Sequence, residues 1–209
     1  TGVKDRVALV TGGGRGIGRA TAGLLASRGA RVMVSARSEN ELAATGLDYI
    51  AADLGSPEGC ERAVAETEQR LGPVDILVCN HGIGSAHERV VWEQDPALWN
   101  ETIRVNLDGP FHLSRLVTGG MVRRGYGRLV YTSSPSVVFD GRDMEGGDES
   151  LPYPPTYQTH YPRTKAMAER RVRQAAVCWA GVSAPSSARA WPMLNAPSMI
   201  WALMGAGNW

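Results

Sequence analysis

The chain has 209 residues, with 22 Lys plus Arg against 21 Asp plus Glu and a net charge of +1. That length suits one α/β domain with a substantial core and falls short of two, and the balanced charge, without any basic run, excludes tracking of a nucleic-acid backbone. No apolar run approaches the ~20 residues of a spanning helix, and the three cysteines, Cys60, Cys79 and Cys178, form no CxxC pair that would suggest a disulfide frame or a zinc site.

Charged, strand-like residues begin the chain (Val3-Lys4-Asp5-Arg6-Val7), where a signal or transit segment would be apolar or amphipathic, so a cytoplasmic setting without a membrane partner is expected. Apolar, β-rich runs then alternate with stretches of helical period. Strands are predicted at Val7–Val10, Arg31–Ser35, Asp48–Ala51, Val74–Cys79 and Arg128–Thr132, and helices at Gly16–Arg28, Glu39–Ala44, Pro57–Leu71, Pro96–Arg124 and Pro162–Ala180. The alternation predicts an α/β fold of Rossmann type: a doubly wound parallel sheet in a three-layer α/β/α single domain. Residues 1–180 carry this pattern, and 181–209, rich in small residues, proline and tryptophan, form an atypical C-terminal segment of the same domain. The fourth helix carries Gly109-Pro110, which predicts a kink. The stretch from Pro135 to His160 reads as a long irregular loop.

The first strand runs into Thr11-Gly12-Gly13-Gly14-Arg15-Gly16-Ile17-Gly18 and then a helix. Strand, glycine-rich turn and helix in this order bring a pyrophosphate against helix-terminal N–H groups, with glycines allowing close backbone approach. After the second strand stands Arg37, where an enzyme selective for NAD would commonly carry an acidic residue for the ribose hydroxyls. Arg37 and Arg15 together can clamp a 2′-phosphate, which predicts NADP(H) in preference to NAD(H). The competing explanation is two solvated surface arginines.

With TGGGRGIG come Asn80-His81-Gly82, Asn106, the pair Ser133-Ser134 and Tyr161-Pro162-Arg163-Thr164-Lys165, all in order. In this the chain resembles the short-chain dehydrogenase/reductase family. Residues 1–132 resemble its short, single-domain form. Residues 133–174, with Asp148-Glu149-Ser150-Leu151-Pro152-Tyr153 and His160-Tyr161-Pro162-Arg163-Thr164-Lys165, resemble the extended branch that contains 3β-hydroxysteroid dehydrogenases. The resemblance implies a cofactor site of Gly12, Gly14, Arg15, Gly16, Ile17, Gly18, Arg37, Asp53, Leu54, Asn80, Gly82, Tyr161 and Lys165, and a catalytic set of Asn106, Ser134, Tyr161 and Lys165, with no metal. It also implies a homodimer or homotetramer through the fourth and fifth helices. It departs from the short form in lacking a Pro-Gly pair after the last strong helix.

The chemistry of that set is general acid–base catalysis beside a hydride donor. A phenol of ordinary pKa, about 10, is a poor proton donor unless its phenolate is stabilised. Lys165 lies four residues after Tyr161, one helical turn on and on the same face. Pro162 suits the first helical position and places Tyr161 at the start of the helix. Ser134, at the carboxyl end of the fifth strand, can donate to the substrate oxygen. By the resemblance, Asn106 holds a water that links Lys165 to solvent; by residue type alone it is an asparagine interrupting a helix. His160 near a serine suggests acyl transfer, but no GxSxG is present. His81 and His87 read as polar loop residues.

The expected function is an NADP(H)-dependent oxidoreductase interconverting a carbonyl and a secondary alcohol, with a small-molecule substrate for which the likeness after Ser133 suggests a steroid or bulky alicyclic alcohol. The alternatives are a dinucleotide-binding protein without a working substrate pocket and an extended-type epimerase or dehydratase.

Overall fold

A computed structural model of the chain describes residues 2–84, 95–132, 138, 152–157, 163, 165–167 and 170. The chain divides into two compact units, Thr1–Thr132 and Ser133–Trp209. In the first, five strands form a wholly parallel sheet: β1 (Val7–Thr11), β2 (Arg31–Ala36), β3 (Asp48–Ala51), β4 (Ile76–Cys79) and β5 (Arg128–Tyr131), in the order β3-β2-β1-β4-β5. All five residues of β1 are buried, as are all four of β4. This accounts for their unbroken apolar runs, because a parallel sheet is covered on both faces.

The helices are α1 (Gly16–Ser27), α2 (Glu39–Ala43), α3 (Pro57–Leu71), α4 (Pro96–Ile103) and α5 (Gly109–Arg124). From β1 to β3 the chain moves towards one sheet edge, and from β3 through β4 to β5 it moves back across. Right-handed crossovers therefore put α1 and α2 on one face and α3 and α5 on the other, and α3 packs against α5. The crossover direction reverses between β1 and β4, which pair with Leu9 opposite Leu77. At such a switch point a crevice opens beyond the carboxyl ends of the strands.

The fourth predicted helix is the one that differs. It is two α-helices joined by a π-helical turn at Arg104–Asp108, where Gly109 N–H reaches back to the Arg104 carbonyl. Pro110 has no N–H for the Asn106 carbonyl, and its ring would crowd that oxygen in a regular helix. The extra residue in the turn relieves the conflict, so the break expected at Gly109-Pro110 takes the form of a π turn just before it. Elsewhere the predicted bounds move by a residue or two at the ends.

In the second unit, residues 163, 165–167 and 170 are helical, within the helix predicted at Pro162–Ala180. Lys165 and Ala166 are buried, and Ala166 joins Val138 in a small core with Tyr153 and Tyr157 packed against it. The Arg170 guanidinium lies 4.4 Å from the Tyr153 ring centroid. The predicted C-terminal segment after Ala180 lies outside the described residues.

Candidate nucleotide site and its supports

The turn after β1 is anchored to both neighbouring strands. Gly12 N–H donates to the Ser35 carbonyl of β2 at 2.7 Å. On the other side Thr11 Oγ1 donates to the Val78 carbonyl at 3.0 Å and accepts from Asn80 N–H at 3.0 Å. Asn80 Nδ2 donates to the Gly12 carbonyl at 3.3 Å, and Asn80 Oδ1 accepts from Thr132 Oγ1 at 3.4 Å, which ties the turn to the ends of β4 and β5.

Two glycines do different work in this turn. Gly12 has φ +63°, the left-handed region that side chains avoid. Gly18 is required for space: a Cβ there would meet the Gly12 carbonyl oxygen at 2.2 Å and Asn80 Nδ2 at 2.5 Å. The close approach sets the first turn of α1 directly behind the loop.

That first turn lacks its own cap. Arg15 at the N-cap gives no side-chain hydrogen bond, and the turn holds no acidic residue. By contrast α2, α3 and α4 are capped by Ser38, Ser56 and Asp95, whose oxygens accept from Glu41, Gly59 and Ala97 N–H. The N–H groups of Gly16, Ile17 and Gly18 and the positive end of the helix dipole thus face the crevice, a preformed environment for a phosphate. Ile17 is 55% exposed beside them.

The predicted adenosine-side residues gather along the same edge. Arg15 pairs loosely with Glu41 at 3.7 Å and Arg37 with Glu101 at 3.6 Å, all with substantial exposure. Asp53 accepts from Gly55 N–H at 3.1 Å through one oxygen and from Arg104 at 2.7 Å through the other. The Arg104 hydrogen bond holds the Asp53 carboxyl below its ordinary value, partial burial opposing, with the charges of Arg104 and Arg37 adding to the depression. Leu54 is buried, and its carbonyl accepts from Cys60 Sγ at 3.3 Å. Burial pushes the Cys60 thiol up to about 12.

Across the crevice, Asn106 is buried in the π turn and its amide grips the backbone of Ile83. Ile83 N–H donates to Asn106 Oδ1 at 2.9 Å, and Asn106 Nδ2 donates to the Ile83 carbonyl at 2.8 Å. The side chain thereby fixes the path of the chain just after Asn80-His81-Gly82, a positioning role that the sequence does not reveal.

His81 is likewise not the polar loop residue expected. It is buried, and its Nδ1 lies 2.7 Å from Thr11 Oγ1. The same Thr11 oxygen also accepts from His81 N–H at 3.3 Å, so backbone and side chain of His81 both close on it. Thr11, His81, Glu101 and Arg104 are the residues that sequence reasoning missed. A buried threonine ending an apolar strand is the only signal that could have found any of them.

Lys165 is 5% exposed in the second unit. Ser134 and Tyr161, the other predicted catalytic residues, lie outside the described residues, as does His87. Among the described residues no three His, Cys, Asp or Glu side chains converge as a metal would need, and no helix is long and apolar enough to cross a membrane.

A family model described as short chain dehydrogenase matches residues 6–142. An acetoacetyl-CoA reductase of Shinella zoogloeoides is 39% identical over 135 residues, which make up 62% of this chain and 55% of that protein. The 3-oxoacyl-[acyl-carrier-protein] reductase FabG of Escherichia coli K12 is 37% identical over 138 residues, 63% of this chain and 55% of that one. The chain spans about half the length of the curated relatives it matches.

Among solved structures, L-sorbose reductase from Gluconobacter frateurii, in complex with NADPH and L-sorbose, superposes with a TM-score of 0.69 at 27% identity, covering 84% of this chain and 65% of that one. A 3-oxoacyl (acyl-carrier-protein) reductase from Agrobacterium tumefaciens C58 with NADP bound gives 0.71 at 27% identity, covering 86% and 67%. These relatives are named as ketoacyl and sugar reductases. They do not support the steroid or bulky alicyclic substrate, or the extended-branch likeness expected for residues 133–174, and the family match itself stops at residue 142.

Proposed function

Since the chain belongs to the short chain dehydrogenase family, we propose that it is an NADP(H)-dependent oxidoreductase that reduces a carbonyl to a secondary alcohol, or runs the reverse, by hydride transfer. The observation that carries this is the uncapped N-terminus of α1 behind a glycine turn clamped by Thr11 and Asn80. An anion completes that helix end, and the pyrophosphate of a dinucleotide is the anion that such a crevice admits. Preference for NADP(H) is supported by Arg37 and Arg15, whose ion pairs among the described residues are loose ones with Glu101 and Glu41 and can be exchanged for a 2′-phosphate. The reductases found with NADPH or NADP bound point the same way.

The machinery is assigned to residues 1–180. Gly12, Gly14, Gly16, Ile17 and Gly18 hold the pyrophosphate; Arg15 and Arg37 hold the 2′-phosphate; Asp53 and the backbone around Asn80 flank the adenine and its ribose, with Leu54 and Gly82 beside them. The bound nicotinamide supplies or accepts hydride. Tyr161 exchanges the proton at the substrate oxygen, Lys165 stabilises its phenolate, Ser134 donates a hydrogen bond to the same oxygen, and Asn106 fixes the neighbouring backbone. The names of the relatives make a 3-oxoacyl group the favoured carbonyl.

Self-association through the predicted fourth helix, which comprises α4 and α5, and the fifth helix predicted at Pro162–Ala180 is part of the reading. Phe111 is 61% exposed and Trp99 37%, while Val105, Leu113 and Val117 are core. A cytoplasmic setting fits the free, buried thiol of Cys60.

The test is titration of NADPH and NADH into the purified chain, then nicotinamide absorbance with a panel of 3-oxoacyl thioesters and simple ketones. NADPH-selective turnover abolished by Tyr161→Phe supports the proposal. Binding without turnover on any carbonyl would refute the catalytic assignment, and no binding of either nucleotide would refute the whole.

A further inference from the structure

Four charges alternate along the adenosine edge of the crevice, and the two pairs they form are unequal. Arg104 and Asp53 make a direct hydrogen-bonded pair at 2.7 Å, with the second Asp53 oxygen held by Gly55 N–H. The Arg104 guanidinium reaches Asp53 by crossing Gly55, where a Cβ would meet its Nη1 at 2.8 Å. Arg37 and Glu101 approach only to 3.6 Å, with side chains 63% and 40% exposed. Arg104 is therefore committed, while Arg37 rests on a partner it can leave.

Building on the reading of Arg37 as the 2′-phosphate cation, we infer that Glu101 is a specificity-determining residue, which holds Arg37 until the nucleotide arrives and opposes the 2′-phosphate when NADP(H) binds. To offer its fork to the phosphate, Arg37 must give up Glu101. Arg104, bound to Asp53, cannot stand in for it. Glu101 lies three residues before Arg104 on the continuing helical path and bears on its charge, so Glu101 keeps a cation nearby after Arg37 leaves and is not driven away. A phosphate on Arg37 then sits well within a Debye length of the Glu101 carboxylate, about 10 Å at 0.1 M salt. NADH carries no charge at that position and is indifferent to Glu101. The acidic residue on α4 thus trims a preference that Arg37 creates just after β2.

The experiment measures NADPH and NADH dissociation constants for the full chain and for Glu101→Gln, Arg37→Ala and the double variant, at low and high salt. Glu101→Gln is expected to tighten NADPH about three- to tenfold and to change NADH less than about twofold. The gain should shrink at high salt and fall below about twofold in the Arg37→Ala background. Unchanged or weakened NADPH binding in Glu101→Gln, or equal tightening of NADPH and NADH, overturns the inference, and the cofactor reading survives if Arg37→Ala alone erases the NADPH preference. An NADPH preference intact in Arg37→Ala overturns the cofactor reading at Arg37 and this inference with it.

Discussion

Single atoms decide the glycine turn. Adding one methyl at Gly18 forces Gly12 and Asn80 apart, because its Cβ would lie 2.2 Å from the Gly12 carbonyl oxygen. Gly18→Ala should cost about 1–3 kcal/mol of stability and weaken NADPH binding; paired thermal melts and titrations check both. The charge on Asp53 makes a second prediction. Its carboxyl ionises below the ordinary 3.8 in the folded chain, first because Arg104 bonds it. The pair therefore stabilises fully above that value, and its contribution is lost as pH falls through the lower folded value. The difference in denaturation midpoint between wild type and Asp53→Asn should be present near neutral pH and shrink as pH falls below 3.8. Cys60 gives a third. With burial holding its thiol up near 12, it should resist alkylating reagents at mildly alkaline pH until the fold opens, which peptide mapping of labelled native and unfolded protein would show.

At the scale of elements, the strands and three of the five helices of the first unit, α1 to α3, could be placed from sequence because burial on both faces and helical period leave direct marks. The glycine turn was legible for the same reason: it depends on side chains being absent, in a fixed order. The π turn was only half legible. Pro110 announces a break, but whether the chain kinks or takes an extra residue is decided by what Asn106 must reach, and Ile83 lies 23 residues earlier. The Asp53–Arg104 pair spans 51 residues and left no trace at all. The grip of α5's preceding turn on Ile83 can be tested by two substitutions. Asn106→Ala removes both hydrogen bonds and should cost about 1–3 kcal/mol. Asn106→Asp can still accept from Ile83 N–H but sets a carboxylate oxygen against the Ile83 carbonyl, so it should destabilise at least as much despite its near-identical shape. Denaturant midpoints rank the two, and a fall in kcat with little change in nucleotide affinity would show that the backbone after Gly82 serves the reaction end of the site.

For the whole molecule, ligand binding and stability are linked. NADPH at a hundred times its dissociation constant should add about 2.7 kcal/mol, which for a chain of this size raises Tm by roughly 5–10 °C, and NADH at the same concentration should raise it less. The strand order β3-β2-β1-β4-β5 has a consequence for how the protein is made. β1 finds β2 and α1 within the next few tens of residues, but its other edge waits for β4, Ala8 pairing with Ile76. On a ribosome that adds ~5–20 residues per second, this fully buried strand spends on the order of ten seconds with one row of backbone donors and acceptors open and unpaired. Synthesis, more than the finished fold, is where this chain is most exposed to aggregation, and slowing translation between residues 36 and 76 should lower its soluble yield while leaving the melting temperature of the protein that does fold untouched.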